Sequence, residues 1–165
     1  MKLFQIRVFP DPVLRKVCEP ITDFGAKTQA LALMMAQMIK TQRHGIGIAA
    51  PQIGVLKQMA IVDVSSRIPG AEPLILINPV ILEAREQGPS REGCMSLPEY
   101  TGLLSRFFWI KFQTRSLKGE MVEKISAGLE AVCIQHEIDH LHGKLFMDRV
   151  GSLKKDMIPR SLKSR

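Results

Sequence analysis

The stretch "GLEAVCIQHEIDHLHG", residues 128–143, restricts the possible folds of this chain more than any other part of it. Leu129, Val132, Cys133, His136, Glu137, His140 and Leu141 recur at steps of one and three, the pattern that lines one face of an α-helix. Two imidazoles and a carboxylate thus continue an apolar stripe that has to face a core. Burying such groups is costly unless each is hydrogen-bonded or bound to a metal. Any fold of this chain must therefore enclose the helix and bring partners to it from distant segments. Ser126 is a candidate cap at its start and Gly143 a terminator.

Four residues of helix turn through about 400°, which stacks His136 over His140. Both imidazoles can reach one divalent ion, and Glu137, one position round, can reach a ligand on that ion. His142 points elsewhere and reads as a surface histidine or one that braces a ligand. A third protein ligand is needed. Position 146, where a third histidine could follow at regular spacing, is Phe, and no glutamate follows Glu137. Asp148, Asp156, a cysteine and His44 remain. Cys133 shares the helix, but 133 to 140 spans about 10 Å of axis, too far for one tetrahedral ion to gather. Cys94 in "REGCMSLP" is the strongest candidate, because Gly93 permits close backbone approach and Pro98 limits the loop.

Two imidazoles and one thiolate leave room for a water whose pKa the metal would lower. Glu137 is then placed to take its proton and pass it to a leaving nitrogen, which is hydrolysis of an acyl group. "GIGIAAPQIG" at 45–54 can supply the donors such a reaction needs. Gly45 and Gly47 let backbone run beside a substrate, and Gln52 offers an amide N–H to a developing oxyanion. The segment is not a phosphate loop, since neither GxGxxG nor GxxxxGK can be read there.

Around these motifs the pattern predicts a helix over 26–42, with Leu31, Met34, Met35 and Met38 on its inner face. Strands are expected at 57–64 and 74–82, the second bent at Asn78-Pro79. "FFWIKFQTR" and "MVEKIS" read as a hairpin with Phe108, Ile110 and Phe112 on one face. The fold class expected is α+β: a single compact domain of small mixed or antiparallel sheets around a central metal-binding helix. Residues 1–150 form the catalytic part, and 151–165 a basic tail or short helix of the same domain.

Three cysteines (Cys18, Cys94 and Cys133) are too few for a disulfide framework and leave at least one free thiol, which fits a reducing cytoplasm. No segment reaches a membrane-spanning length, so neither export nor insertion is expected. The formal charge is +7, and residues 151–165 carry Lys154, Lys155, Arg160, Lys163 and Arg165 against Asp156, a net +4. Such a tail either keeps the protein soluble or docks on an RNA-rich machine. No zinc-finger spacing or RNA-binding aromatic motif accompanies it, and specific DNA binding is not expected.

Taken together, "GIGIAAPQ" at 45–52, "EGCMS" at 92–96 and "QHEIDHLHG" at 135–143 resemble, in order, the three motifs of peptide deformylase. The resemblance implies that Cys94, His136 and His140 are metal ligands and that Glu137 is the general acid/base. It further implies that the Gln52 side chain and Met95 backbone N–H hold the oxyanion, while Gly47 pairs with an extended substrate. The metal it implies is Fe²⁺, with Zn²⁺, Ni²⁺ or Co²⁺ as substitutes. The substrates are N-formylmethionyl nascent peptides, processed by a monomer that makes transient ribosome contact through the basic tail. Ile46, Leu129, Val132 and Cys133 are expected to line the methionine pocket. The chain departs from the motif pattern at Met95, where leucine is usual, at His44, where an acidic residue is common, and at Thr101, often an arginine. Two rival readings are a metal amidase for another small acyl group and a metal-stabilised nucleic-acid-binding module.

Overall fold

A computed structural model describes residues 5–42 and 45–160. Two antiparallel sheets hold a helix between them. The first sheet has the order β1 (Gly47–Ala49), β2 (Met59–Val62), β3 (Leu74–Ile77). The second has β4 (Val80–Cys94), β5 (Leu97–Arg115) and β6 (Met121–Ala127) in that order. A short helix α3 (Leu153–Asp156) leads into β7 (Met157–Pro159), which also pairs with β5. Helix α1 (Ala26–Thr41) covers the first sheet, and α2 (Gly128–Leu141) packs against both. Among the described residues, no helix is long and apolar enough to cross a membrane.

Helix α2 is the enclosed element that its stripe requires: ten of its residues, Ala131 to Glu137 and Asp139 to Leu141, are buried. Ala131, Cys133, Ile134 and Leu141 share a core with Ala60 and Val62 of β2, Leu76 of β3, and Ile110 and Phe112 of β5. Gly143 ends the helix in the left-handed region at φ 70°, where glycine has no Cβ penalty. Ser126 does not cap it. That serine lies in β6, one residue before the N-cap position held by Ala127, and its hydroxyl donates to Glu130 Oε2 at 2.6 Å instead of accepting from a helix N–H.

The inner face of α1 is turned from the expected one. Thr28, Ala32, Met35 and Ile39 are its buried residues, while Leu31, Met34 and Met38 flank them half-buried. Small Ala32 is 1% exposed in the middle of that face, and the longer side chains pack against the same core while only partly buried.

The run at 74–82 is two strands. Asn78 breaks it at φ 49°, and its side chain accepts from the Ile21 N–H and donates to the Ile21 carbonyl, both at 2.8 Å. β4 then continues through the polar "EAREQGPSRE", which alternation of apolar residues could not reveal because this strand buries side chains only near its end. Pro89 is tolerated because β4 is an edge strand. The expected hairpin is correct but short: β5 begins at Leu97, and its buried positions from Leu104 onward are Leu104, Arg106, Ile110, Phe112 and Thr114. Phe108 is only half-buried, and Arg106 stands at an apolar position of the pattern.

Candidate metal centre and substrate cavity

Three elements far apart in sequence converge on one end of α2. Cys94 closes β4 where its register with β5 shifts, so the chain turns sharply through Met95 and Ser96. Gln52 sits in a single 3₁₀ turn, Ala50–Ile53, that follows β1 and ends at Gly54 with φ 81°. His136 and His140 come from α2, their ring centroids 4.9 Å apart.

One sulfur and two imidazole nitrogens, from Cys94, His136 and His140, lie within 4.8 Å of one another, and all three residues are buried. Cys94 Sγ is 3.2 Å from His140 Nε2. An ion about 2.0–2.3 Å from each donor fits donors spaced like these with little adjustment, and the S, N, N set suits zinc or ferrous iron. Glu137 Oε2 is buried with no hydrogen-bond partner among the described residues, which also marks the site as made for a group beyond the polypeptide.

Other candidates for the third ligand are engaged elsewhere. Asp148 pairs with Arg15 and accepts from the Leu145 N–H, and Asp156 accepts from the Ser152 N–H. His44 lies outside the described residues. Cys133 turns its thiol to the Ile46 carbonyl at 3.3 Å, and burial, with Glu137 nearby, pushes its pKa well above the usual thiol value. His142 is exposed and bonded to the Ile138 carbonyl.

Burial opposes a thiolate at Cys94, but the two imidazoles outweigh it and hold the pKa well below the usual thiol range. At Glu137 burial dominates, and the carboxyl is pushed up to about 7. Its neighbour across the cavity is Gly47. A Cβ there would lie 2.7 Å from Cys133 Sγ and closer still to Glu137 Oε1, so only glycine fits.

Gln52 is held from behind. The Ala49 N–H donates to its Oε1 at 2.8 Å, which turns the NH₂ group toward Ser96 Oγ at 3.1 Å and Cys94 Sγ at 3.5 Å. A cavity of about 500 Å³ opens beside these groups. Ile46, Leu129, Val132 and Cys133 all line it, as do Gly47, Met95 and Glu137.

A largely buried polar chain, to which the motifs assigned no role, braces the centre. Glu92 Oε2 is 2.9 Å from His136 Nδ1, leaving Nε2 of that ring to face the cysteine. Arg106 donates to both oxygens of Glu92, at 2.8 and 3.1 Å, and to Asp139 Oδ2 at 2.7 Å. Arg149 completes the chain on Asp139 at 2.5 and 3.1 Å. Burial works against charge on Glu92, but His136 and Arg106 outweigh it and hold the carboxyl down at about 2. The signal available in the sequence was Arg106 itself, a charge on the inward face of an otherwise apolar strand.

Comparison with known proteins agrees with this geometry. Residues 3–156 match the family described as polypeptide deformylase. A peptide deformylase of Bartonella quintana is 38% identical over 100% of this chain and 94% of its own length. The crystal structure of peptide deformylase from Thermotoga maritima superposes with a TM-score of 0.84 at 37% identity, covering 92% of this chain and 100% of that one. A Met-Ala-Ser-bound class I type b peptide deformylase from Acinetobacter baumannii gives 0.83 at 31% identity, covering 91% and 100%. With the cysteine, the two histidines and the glutamate gathered at one cavity, and with likeness along its whole length, this chain belongs to the polypeptide deformylase family.

Proposed function

We propose that Glu137, Gln52, Met95 and Gly47 carry out this family's reaction, hydrolytic removal of the formyl group from the N-terminal methionine of new proteins. The observation that carries the assignment is the buried Glu137 carboxyl beside the Cys94, His136 and His140 cluster. Those three residues would hold one divalent ion, whose Lewis acidity lowers the pKa of water and polarises a carbonyl. Glu137 accepts the proton of the attacking water and delivers it to the departing amine nitrogen. Gln52 Nε2 and the Met95 N–H donate to the formyl oxygen as its charge grows. Glu92 and Arg106 keep the His136 ring in place.

The peptide enters extended, between the edge strands β1 and β4, with Gly47 giving it backbone access. Its methionine side chain occupies the apolar wall of Ile46, Leu129, Val132 and Cys133. Met-Ala-Ser bound to the Acinetobacter relative is the product expected from such a substrate. Among the described residues the cluster has three protein donors, whereas a purely structural site of a nucleic-acid-binding module would be closed by a fourth.

In this reading the enzyme is a cytoplasmic monomer, and its native ion is ferrous iron with zinc, nickel or cobalt as substitutes. Exposed Lys154 and Lys155 of α3 are its described candidates for passing contact with the ribosome, while Lys163 and Arg165 lie outside the described residues. The test is formate release by anaerobically iron-loaded protein from formyl-Met-Ala-Ser and acetyl-Met-Ala-Ser. Formate from the first without acetate from the second supports the reading. Equal turnover of both would favour a broader amidase. In the same protein, Cys94→Ser is expected to lose metal on dialysis and Cys133→Ser to keep it; equal retention by both would remove Cys94 from the ligand set.

Gln52→Leu is expected to lower kcat by about 10²–10³-fold, the usual loss of a single oxyanion donor. It also leaves the Ala49 N–H without its acceptor. Gln52→Glu keeps that acceptor but has no NH₂ donor, and should lose kcat as well. A rise in KM at unchanged kcat in both variants would make Gln52 an ordinary substrate contact.

A further inference from the structure

The cavity mouth carries a feature the reaction itself does not use. β7 pairs with β5 through Tyr100–Pro159, Thr101–Ile158 and Gly102–Met157, and the Arg160 N–H extends this pairing to the Glu99 carbonyl at 2.8 Å. From there the Arg160 side chain reaches Gly93 of β4. A Cβ at Gly93 would lie 3.0 Å from Arg160 Cζ and nearer still to Nη2, so the glycine makes the seat in which the guanidinium rests. Arg160 lines the cavity together with Arg91, whose Nε donates to Thr101 Oγ1 at 3.2 Å.

These two arginines belong to one face of the groove. Along β4, Glu92 and Cys94 point inward and are buried, whereas Arg91 and Gly93 alternate to the outside. Two carboxylates line the cavity, and neither neutralises the mouth. Glu137 sits at its floor, and Glu92 is committed to Arg106 and His136. Among the described residues, neither Arg91 nor Arg160 is in an ion pair with a carboxylate. A peptide whose formyl group lies at Cys94 and which leaves along β4 at roughly 3.3 Å per residue passes Gly93 and then Arg91. Its second and third residues therefore meet the guanidinium groups.

We propose that Arg160, supported by Arg91, is a specificity-determining residue that favours formyl-methionyl peptides carrying a carboxylate at the second or third position. The proposal rests on the reading of the cavity as a formyl-peptide site. The chain end thus contributes to the substrate groove, through a strand that closes beside β5 and a glycine that leaves space for the side chain. Because the groups are exposed, the selectivity is modest and screened by salt.

The experiment measures kcat/KM of the full-length, iron-loaded protein for formyl-Met-Ala-Ser, formyl-Met-Asp-Ser and formyl-Met-Ala-Asp and for the lysine counterparts of the two acidic peptides. The wild-type protein is expected to prefer aspartate to lysine. Arg160→Ala should cut that ratio by about fivefold, the upper range for an exposed ion pair, mainly through KM. Arg160→Glu should reverse the order, and Arg160→Lys should restore part of the preference. Lys154→Gln/Lys155→Gln, which alters charge on α3 away from the cavity, should leave the ratio as it is. An aspartate-to-lysine ratio unchanged in Arg160→Glu, or equal losses on neutral, acidic and basic peptides, would overturn the proposal. A wild-type protein that releases no formate from any of the peptides would instead overturn the functional reading beneath it.

Discussion

Glu137→Gln is expected to keep the fold and the bound metal while losing about 10²–10⁴-fold in turnover, the usual contribution of a positioned general acid/base. Glutamine has nearly the same shape, so the contact with Gly47 and the packing beneath Cys133 survive. What disappears is a carboxyl whose burial pushes its pKa up to about 7, a value suited to both taking and giving a proton near neutrality. No ligand is removed, so metal content should match the wild type. Formate release, metal stoichiometry and thermal unfolding measured on the same preparation separate these effects. Turnover within a few-fold of wild type at full metal loading would exclude Glu137 as the proton shuttle.

Arg106→Met should have its main effect on stability, with a loss of about 3–5 kcal/mol, the range for breaking a buried ion pair from one side. The Arg106 side chain is 4% exposed and serves two carboxylates, Glu92 and Asp139. Without it, Glu92 keeps His136 and Asp139 keeps Arg149, but both carboxylates remain buried and each loses a charged donor. Because Glu92 orients a proposed ligand, metal affinity should fall as well, by about 10–100-fold. Arg106→Lys should recover only part of either, since one ammonium group cannot reproduce a fork bonded to both partners. Denaturant unfolding of the metal-free proteins and metal competition assays read the two consequences separately. A metal-free Arg106→Met protein as stable as wild type would show that the carboxylates find other partners or water.

Much of the centre could be read along the chain because its signals are local. His136, Glu137 and His140 announce themselves by interrupting an apolar helical stripe, and the four wall residues Ile46, Leu129, Val132 and Cys133 adjoin motif residues in sequence. The glycine segment likewise showed that backbone had to come close to something, although not that Glu137 and Cys133 would be its neighbours. The long β4 was hidden for the converse reason: over most of its length it buries little, so no alternation of apolar residues marks it.

The sequence favoured Cys94 as the residue to join the histidines, but only tertiary structure brings it to them and occupies its rivals. Periodicity left cysteine, aspartate and histidine candidates, and it is the folding of β4 onto β5 that brings Cys94 to His140, 46 positions away, while Asp148 and Asp156 are taken up by local backbone N–H groups. The chain of Glu92, Arg106, Asp139 and Arg149 has the same origin, since a charge on an inward strand position predicts a buried partner without identifying it. The chain end shows the difference most directly. Its composition says only that it is basic, whereas the pairing of β7 with β5 and the missing Cβ of Gly93 place Arg160 at the mouth of the cavity. Residue type and spacing determine what a side chain can do, but the partner it meets across a sheet is set by backbone pairing between segments with no fixed distance in sequence.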